Sequence, residues 1–157
     1  MTFSWAVFYA RGHMSVSHAL RPAAAIFHDL EIVIPFRDSR LTKAALNYAI
    51  SLVDGENIRV RLIDVHVVPY GIPLDRSTME PRYLERRLKT LAKESEVPAS
   101  IAVVYARDWE QGLRRLLTPA STVLLPMRRT SWSTSDKRLA ARLRKLGHTV
   151  IWVDATD

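Results

Sequence analysis

The sequence predicts an α/β domain built on a single doubly wound, five-stranded parallel sheet, and three observations carry that expectation. Short apolar runs alternate with amphipathic helical stripes from Glu31 to Val153. The runs are apolar along most of their length rather than at every second residue, as strands covered on both faces are. Capping and turn residues fall at nearly every junction between the two patterns. The resulting order, β-α-β-α-β-α-β-α-β, joins parallel strands through right-handed crossovers.

Each element has its own signal. Glu31-Ile-Val-Ile-Pro-Phe36 is a buried strand that ends in polar residues, where Asp38 or Ser39 offers an oxygen to cap a helix. Leu41, Ala44, Ala45, Tyr48, Ala49 and Leu52 recur at helical spacing, and Asp54-Gly55 ends that helix. A second strand runs from Ile58 to Val68. Pro69 to Thr78 is a loop, and Pro81 suits the first position of a helix lined by Leu84, Leu88, Leu91 and Ala92. Ile101 to Tyr105 is the third strand. Asp108-Trp-Glu-Gln111 has the form of a capping box, with Leu113, Leu116 and Leu117 behind it. Thr122 to Leu125 is the fourth strand, and Pro126 to Asp136 reads as a polar connection. Ser133 and Asp136 cap a last helix lined by Leu139, Ala140, Leu143 and Leu146, which Gly147 ends before a final strand, Thr149 to Val153.

The chain has 157 residues, 23 Lys and Arg against 16 Asp and Glu, and no cysteine. One domain of this size buries roughly two-thirds of its unfolded surface and needs no staple. The absence of cysteine excludes a disulfide framework, a thiolate metal site and a cysteine nucleophile. His13, His18, His28 and His148 have no metal-ligand spacing, so no metal is expected. The net charge of +7 favours an anionic partner in a general way. Trp109, Trp132 and Trp152 are scattered and accompany no nucleic-acid-binding motif, so no specific nucleic acid is expected.

Residues 1–28 read as an N-terminal arm or linker, and residues 29–157 as the domain. No apolar run reaches the 18 or so residues of a membrane span. Trp5 to Arg11, aromatics and then a base, resembles the end of the last helix of some amino-acid permeases. On that alternative the domain is the cytosolic tail of a permease-like transporter and membrane-associated; otherwise a cytoplasmic location is expected.

Ile32-Val-Ile-Pro-Phe-Arg-Asp-Ser39 followed by Ala44-Ala-Leu-Asn-Tyr-Ala49, the strand containing Val65-His-Val67, and the closing unit from Leu139 to Val153 together resemble the universal stress protein family. The resemblance covers about residues 31–154. It implies a sheet in spatial order 3-2-1-4-5, a homodimer along the last strand, and a nucleotide near His66. In such a sheet ligands sit at the carboxyl ends of the strands, where the strand order reverses. The candidate nucleotide or anion site is therefore Pro35, Asp38 and Ser39 after the first strand, His66 and Val67 on the second, and Met127, Arg128, Arg129, Ser131 and Ser135 after the fourth.

The departures from the family pattern bear on function. Its ATP-binding members carry a glycine, two residues, a glycine, nine residues, and a glycine followed by Ser or Thr. Here those positions fall on Pro126, Arg129 and Leu139, or Asp136 if the loop is three residues shorter. Glycine lets backbone N–H groups approach phosphate with no Cβ in the way, and Pro126 has no N–H at all. The family's aspartate after the first strand also falls on Arg37, with Asp38 one place later. ATP binding in the usual manner is expected to be impaired, and no cofactor is expected. Residues 128–145 hold seven bases and one acid, so Arg128 and Arg129 are the best candidates to hold an anion. Asp64 and His66 share a strand face, but no nucleophile elbow accompanies them, so no enzyme is expected. The expected function is a non-catalytic, regulatory or stress-related domain acting by dimerisation or protein docking. The alternative is an anion-binding regulatory domain that uses the Arg-rich loop.

Overall fold

The structure, a computed structural model, describes residues 30–52, 58–76, 79–128 and 133–155. Expectations for the N-terminal arm, and for Arg129 and Ser131, lie outside the described residues. The order is β1 (Leu30–Pro35), α1 (Ser39–Leu52), β2 (Ile58–Val67), α2 (Pro81–Glu94), β3 (Ala99–Ala106), α3 (Trp109–Leu116), β4 (Thr122–Met127), α4 (Thr134–Lys145) and β5 (Thr149–Asp154), with a single 3-10 turn at Leu74–Arg76 before α2. The five strands are parallel and lie in the order β3-β2-β1-β4-β5.

Local chemistry starts and stops the helices. Asp38 Oδ1 accepts the Leu41 N–H at 2.8 Å and opens α1. Asp108 accepts from Gln111 N at 2.8 Å and opens α3. Ser133 Oγ accepts from Asp136 N at 3.1 Å and donates to the Asp136 carboxylate at 2.8 Å, opening α4. Pro81 occupies the first turn of α2, where its missing N–H has no role. Gly147 at φ 91° lets His148 N reach back to Leu143 O at 3.1 Å and closes α4.

The alternation of each strand divides the core into two layers. Ile32, Ile34, Val60, Leu62, Leu124 and Ile151 pack with Leu46 of α1 and Leu88 of α2. Val33, Ile63, Val65, Val123, Leu125 and Val150 pack with Leu113 of α3 and Leu139 and Leu143 of α4. α3 sits so close to the sheet that a Cβ at Gly112 would meet Val65 Cγ1 at 2.5 Å and Ala106 Cβ at 2.9 Å. The glycine there is a packing requirement.

Two junctions differ from the sequence reading. β4 continues through Pro126 and Met127, opposite Val153 and Asp154 of β5, instead of ending at Leu125. Its pairing with β1 covers only Ile32↔Thr122 and Val33↔Val123. At Pro126 only the β5 flank is still paired, which is where a strand tolerates a missing N–H. α3 ends at Leu116, and Leu117 is already extended at ψ 131° ahead of Pro119.

Candidate functional site

The strand order reverses between β1 and β4, and their carboxyl ends open a crevice flanked by the start of α4. Pro35 is buried at the end of β1 and Met127 at the end of β4, so both form the floor. Arg37 and Asp38 follow β1, Arg128 follows β4, and Asp136 lies in the first turn of α4.

These four charges face one another across the opening. Arg37 Nη2 donates to Asp136 Oδ1 at 2.8 Å. Its guanidinium carbon also lies 4.3 Å from the centre of the Trp109 ring at the start of α3. Arg128 approaches the other Asp38 carboxylate oxygen at 3.6 Å. Asp38 therefore caps α1 with one oxygen and meets Arg128 with the other. Ser135 Oγ is 2.8 Å from Ser133 Oγ at the same helix start. The N-terminus of α4, at the positive end of its helix dipole, is where an anion would gain most. In this chain the Asp136 carboxylate already lies in that turn, and Arg37 neutralises it.

The other candidates lie apart from this cluster. Ser39 lines the groove between α1 and α2. The His66 ring meets Tyr105 of β3 edge-on, with centroids 5.4 Å apart. Val67 ends β2 with its side chain exposed. Asp64, which shares the His66 face, is buried and accepts from Arg87 Nη2 of α2 at 2.7 Å. Arg87 stacks 4.1 Å over the Phe36 ring. Tyr105 donates its hydroxyl to Met79 O at 2.7 Å. Burial, and then the charges of Asp64, Glu80 and Glu85, push that hydroxyl above its ordinary value of 10.0. Asp64 is thus committed to Arg87 and does not orient His66. Among the described residues no group of three or more His, Asp or Glu could hold a metal ion, and no helix is long and apolar enough to cross a membrane.

Sequence reasoning did not place Arg37, Trp109 and Asp136 in the site. Asp136 read as a reciprocal cap with Ser133; the structure has Ser133 as the cap, with the Asp136 carboxylate accepting its hydroxyl. The Arg37–Asp136 pair spans 99 residues, and no local signal joins its ends.

The fold defines a doubly wound α/β domain whose strand order reverses between β1 and β4. No family model matches the sequence, and no curated protein matches it. Three solved structures with this fold are universal stress proteins. One from Burkholderia pseudomallei is 17% identical, with a TM-score of 0.51 over 80% of this chain and 96% of that one. One from Archaeoglobus fulgidus is 10% identical, with a TM-score of 0.55 over 80% and 93%. A third, a universal stress protein in complex with cAMP, is 16% identical, with a TM-score of 0.53 over 81% and 98%.

Proposed function

We propose that this chain is a non-catalytic universal-stress-type domain, regulatory or stress-related, whose crevice does not hold ATP in the manner of glycine-bearing relatives. It acts instead by dimerisation or protein docking. The observation that carries the reading is the Arg37–Asp136 pair at 2.8 Å, set where a triphosphate would meet the start of α4. A phosphate entering there faces the Asp136 carboxylate and must break the ion pair first. Pro126, near the carboxyl end of β4, has no backbone N–H to offer a phosphate. The dimer is supported by the position of β5 at a sheet edge, where its outer backbone groups have no neighbouring strand among the described residues.

A thermal melt with millimolar ATP tests the nucleotide half. A ligand at about a hundred times its Kd adds roughly 2.7 kcal/mol, a shift of several degrees for a domain of this size. No shift is expected, and a shift of that size overturns the reading. Sedimentation tests the other half: a dimer is expected, and a monomer at all concentrations overturns it.

One observation favours a second reading, an anion-binding regulatory site. Arg128 is 60% exposed and its approach to Asp38 is long, at 3.6 Å. A small anion can therefore recruit that guanidinium at little cost. One neighbour in fold is described in complex with cAMP, a single-phosphate nucleotide. Arg128→Ala with Arg129→Ala should abolish such binding, and unchanged binding in that variant rejects the reading.

A further inference from the structure

Away from the crevice, a groove of about 600 Å³ runs between α1 and α2. Ser39 and Lys43 form one wall. Tyr83, Arg86, Arg87 and Thr90 form the other, Leu91 lies beneath, and Glu94 closes one end. Three cations and one acid line it, and with Asp64 paired to Arg87 one positive charge remains, so its field is weakly positive. The three cations differ in availability. Arg87 is fixed by Asp64 and by its stack on Phe36, so its charge is already paired within the fold. Lys43 bridges the groove to Glu94 at 2.5 Å, with both side chains nearly half exposed. Arg86 donates through Nε to Arg82 O at 3.3 Å, which leaves the rest of its fork for a ligand. Tyr83 is 52% exposed, and an aromatic ring at a groove edge is a common anchor of protein interfaces.

We propose that this groove docks an acidic segment of a partner protein, with a carboxylate held between Lys43 and Arg86 and an apolar side chain against Tyr83 and Leu91. Charge complementarity selects an anionic occupant. The apolar floor and the Glu94 carboxylate select a peptide over a nucleic acid. A phosphate ladder would meet Glu94 and leave Leu91 unused, whereas a chain mixing acidic and apolar residues matches both. Lys43 exchanges Glu94 for the partner's carboxylate, so the internal ion pair acts as a competitor. The inference gives the docking arm of the proposed function a surface and a partner class. It rests on that arm only: a failed peptide titration leaves the ATP result standing.

The test is fluorescence anisotropy at low salt with a labelled peptide of about a dozen alternating Glu and Leu residues, and its Gln-for-Glu counterpart as control. The acidic peptide should bind and the neutral one should not. Lys43→Glu with Arg86→Glu should weaken binding about tenfold or more, whereas Arg114→Glu with Arg115→Glu on α3, the same charge change elsewhere, should alter it by less than about twofold. Glu94→Gln should tighten binding about threefold by removing the competitor. If the double reversal fails to fold, Lys43→Gln with Arg86→Gln carries the test, with a loss of about fivefold expected. The proposal is overturned if the acidic peptide does not bind, if the neutral peptide binds as well, or if both double reversals weaken binding equally. It is also overturned if a single-stranded oligonucleotide outcompetes the peptide, or if the Lys43 and Arg86 substitutions change the oligomeric state instead.

Discussion

Two places at the carboxyl end of the sheet use the same three-part arrangement, an aspartate, an arginine and an aromatic ring. At the β2 end, Arg87 meets Asp64 at 2.7 Å and stacks 4.1 Å over Phe36. At the β1/β4 crevice, Arg37 meets Asp136 at 2.8 Å and lies 4.3 Å from the Trp109 ring centre. The distances match and the surroundings do not. The Asp64 side chain is 8% exposed, whereas Arg37 and Asp136 are 31% and 24% exposed. Breaking the first pair leaves a buried charge without a partner. Breaking the second returns two charges to water. The same contact is therefore a structural tie in one region and a releasable latch in the other.

The comparison breaks first at its strongest member. Arg87→Met should destabilise the domain by about 2–4 kcal/mol in urea unfolding, at the low end of the range for an orphaned buried charge because Arg87 is itself partly exposed. Arg37→Met should cost about 0.2–1 kcal/mol. Equal losses at the two positions would refute the distinction. The mount beneath the latch comes next. Trp109 rides on α3, which Gly112 seats against Val65 and Ala106. Gly112→Ala should cost about 1–3 kcal/mol by forcing that helix off the sheet, and the Trp109 fluorescence should shift with it. A neutral result would mean the helix has room to move. The Arg37–Asp136 contribution should then fade between low and high salt in a double-mutant cycle, while the Arg87–Asp64 coupling persists.

The smallest effect concerns pH. Burial holds the His148 imidazole below its ordinary value of 6.5, and its Nδ1 is buried without a hydrogen-bond partner among the described residues. The folded state therefore prefers the neutral ring. The unfolded chain takes up the proton first as pH falls below 6.5, so stability is level above that value and declines beneath it until the folded ring also titrates. His148→Gln should flatten that part of a melting-temperature profile, and an unchanged slope would assign it to other groups.

Much of the fold was legible in the sequence because its determinants are local. Asp108, Ser133 and Gly147 sit within a few residues of the groups they cap, and the strands announce themselves as continuous apolar runs. Pro126 misled because its tolerance depends on how far β1 pairs along β4, a property of the sheet and not of the residue. The crevice was legible as a place but not as a state. The reversal of strand order located it near Asp38 and Arg128, yet its closure depends on Arg37 meeting Asp136 from 99 residues away. Periodicity carries no information at that separation. The missing glycines are visible in the sequence itself, whereas the Arg37–Asp136 pair at the start of α4 is visible only in the structure.

The central claim is that the crevice is occupied by the chain's own charges and lacks the amides to wrap a triphosphate. Calorimetric titration of ATP into the wild-type protein tests it most directly. The account predicts no saturable heat up to about 1 mM, corresponding to binding weaker than roughly −4 kcal/mol. A one-to-one isotherm with a Kd of about 10 μM, abolished by Arg128→Ala or by Ser133→Pro at the start of α4, would contradict it.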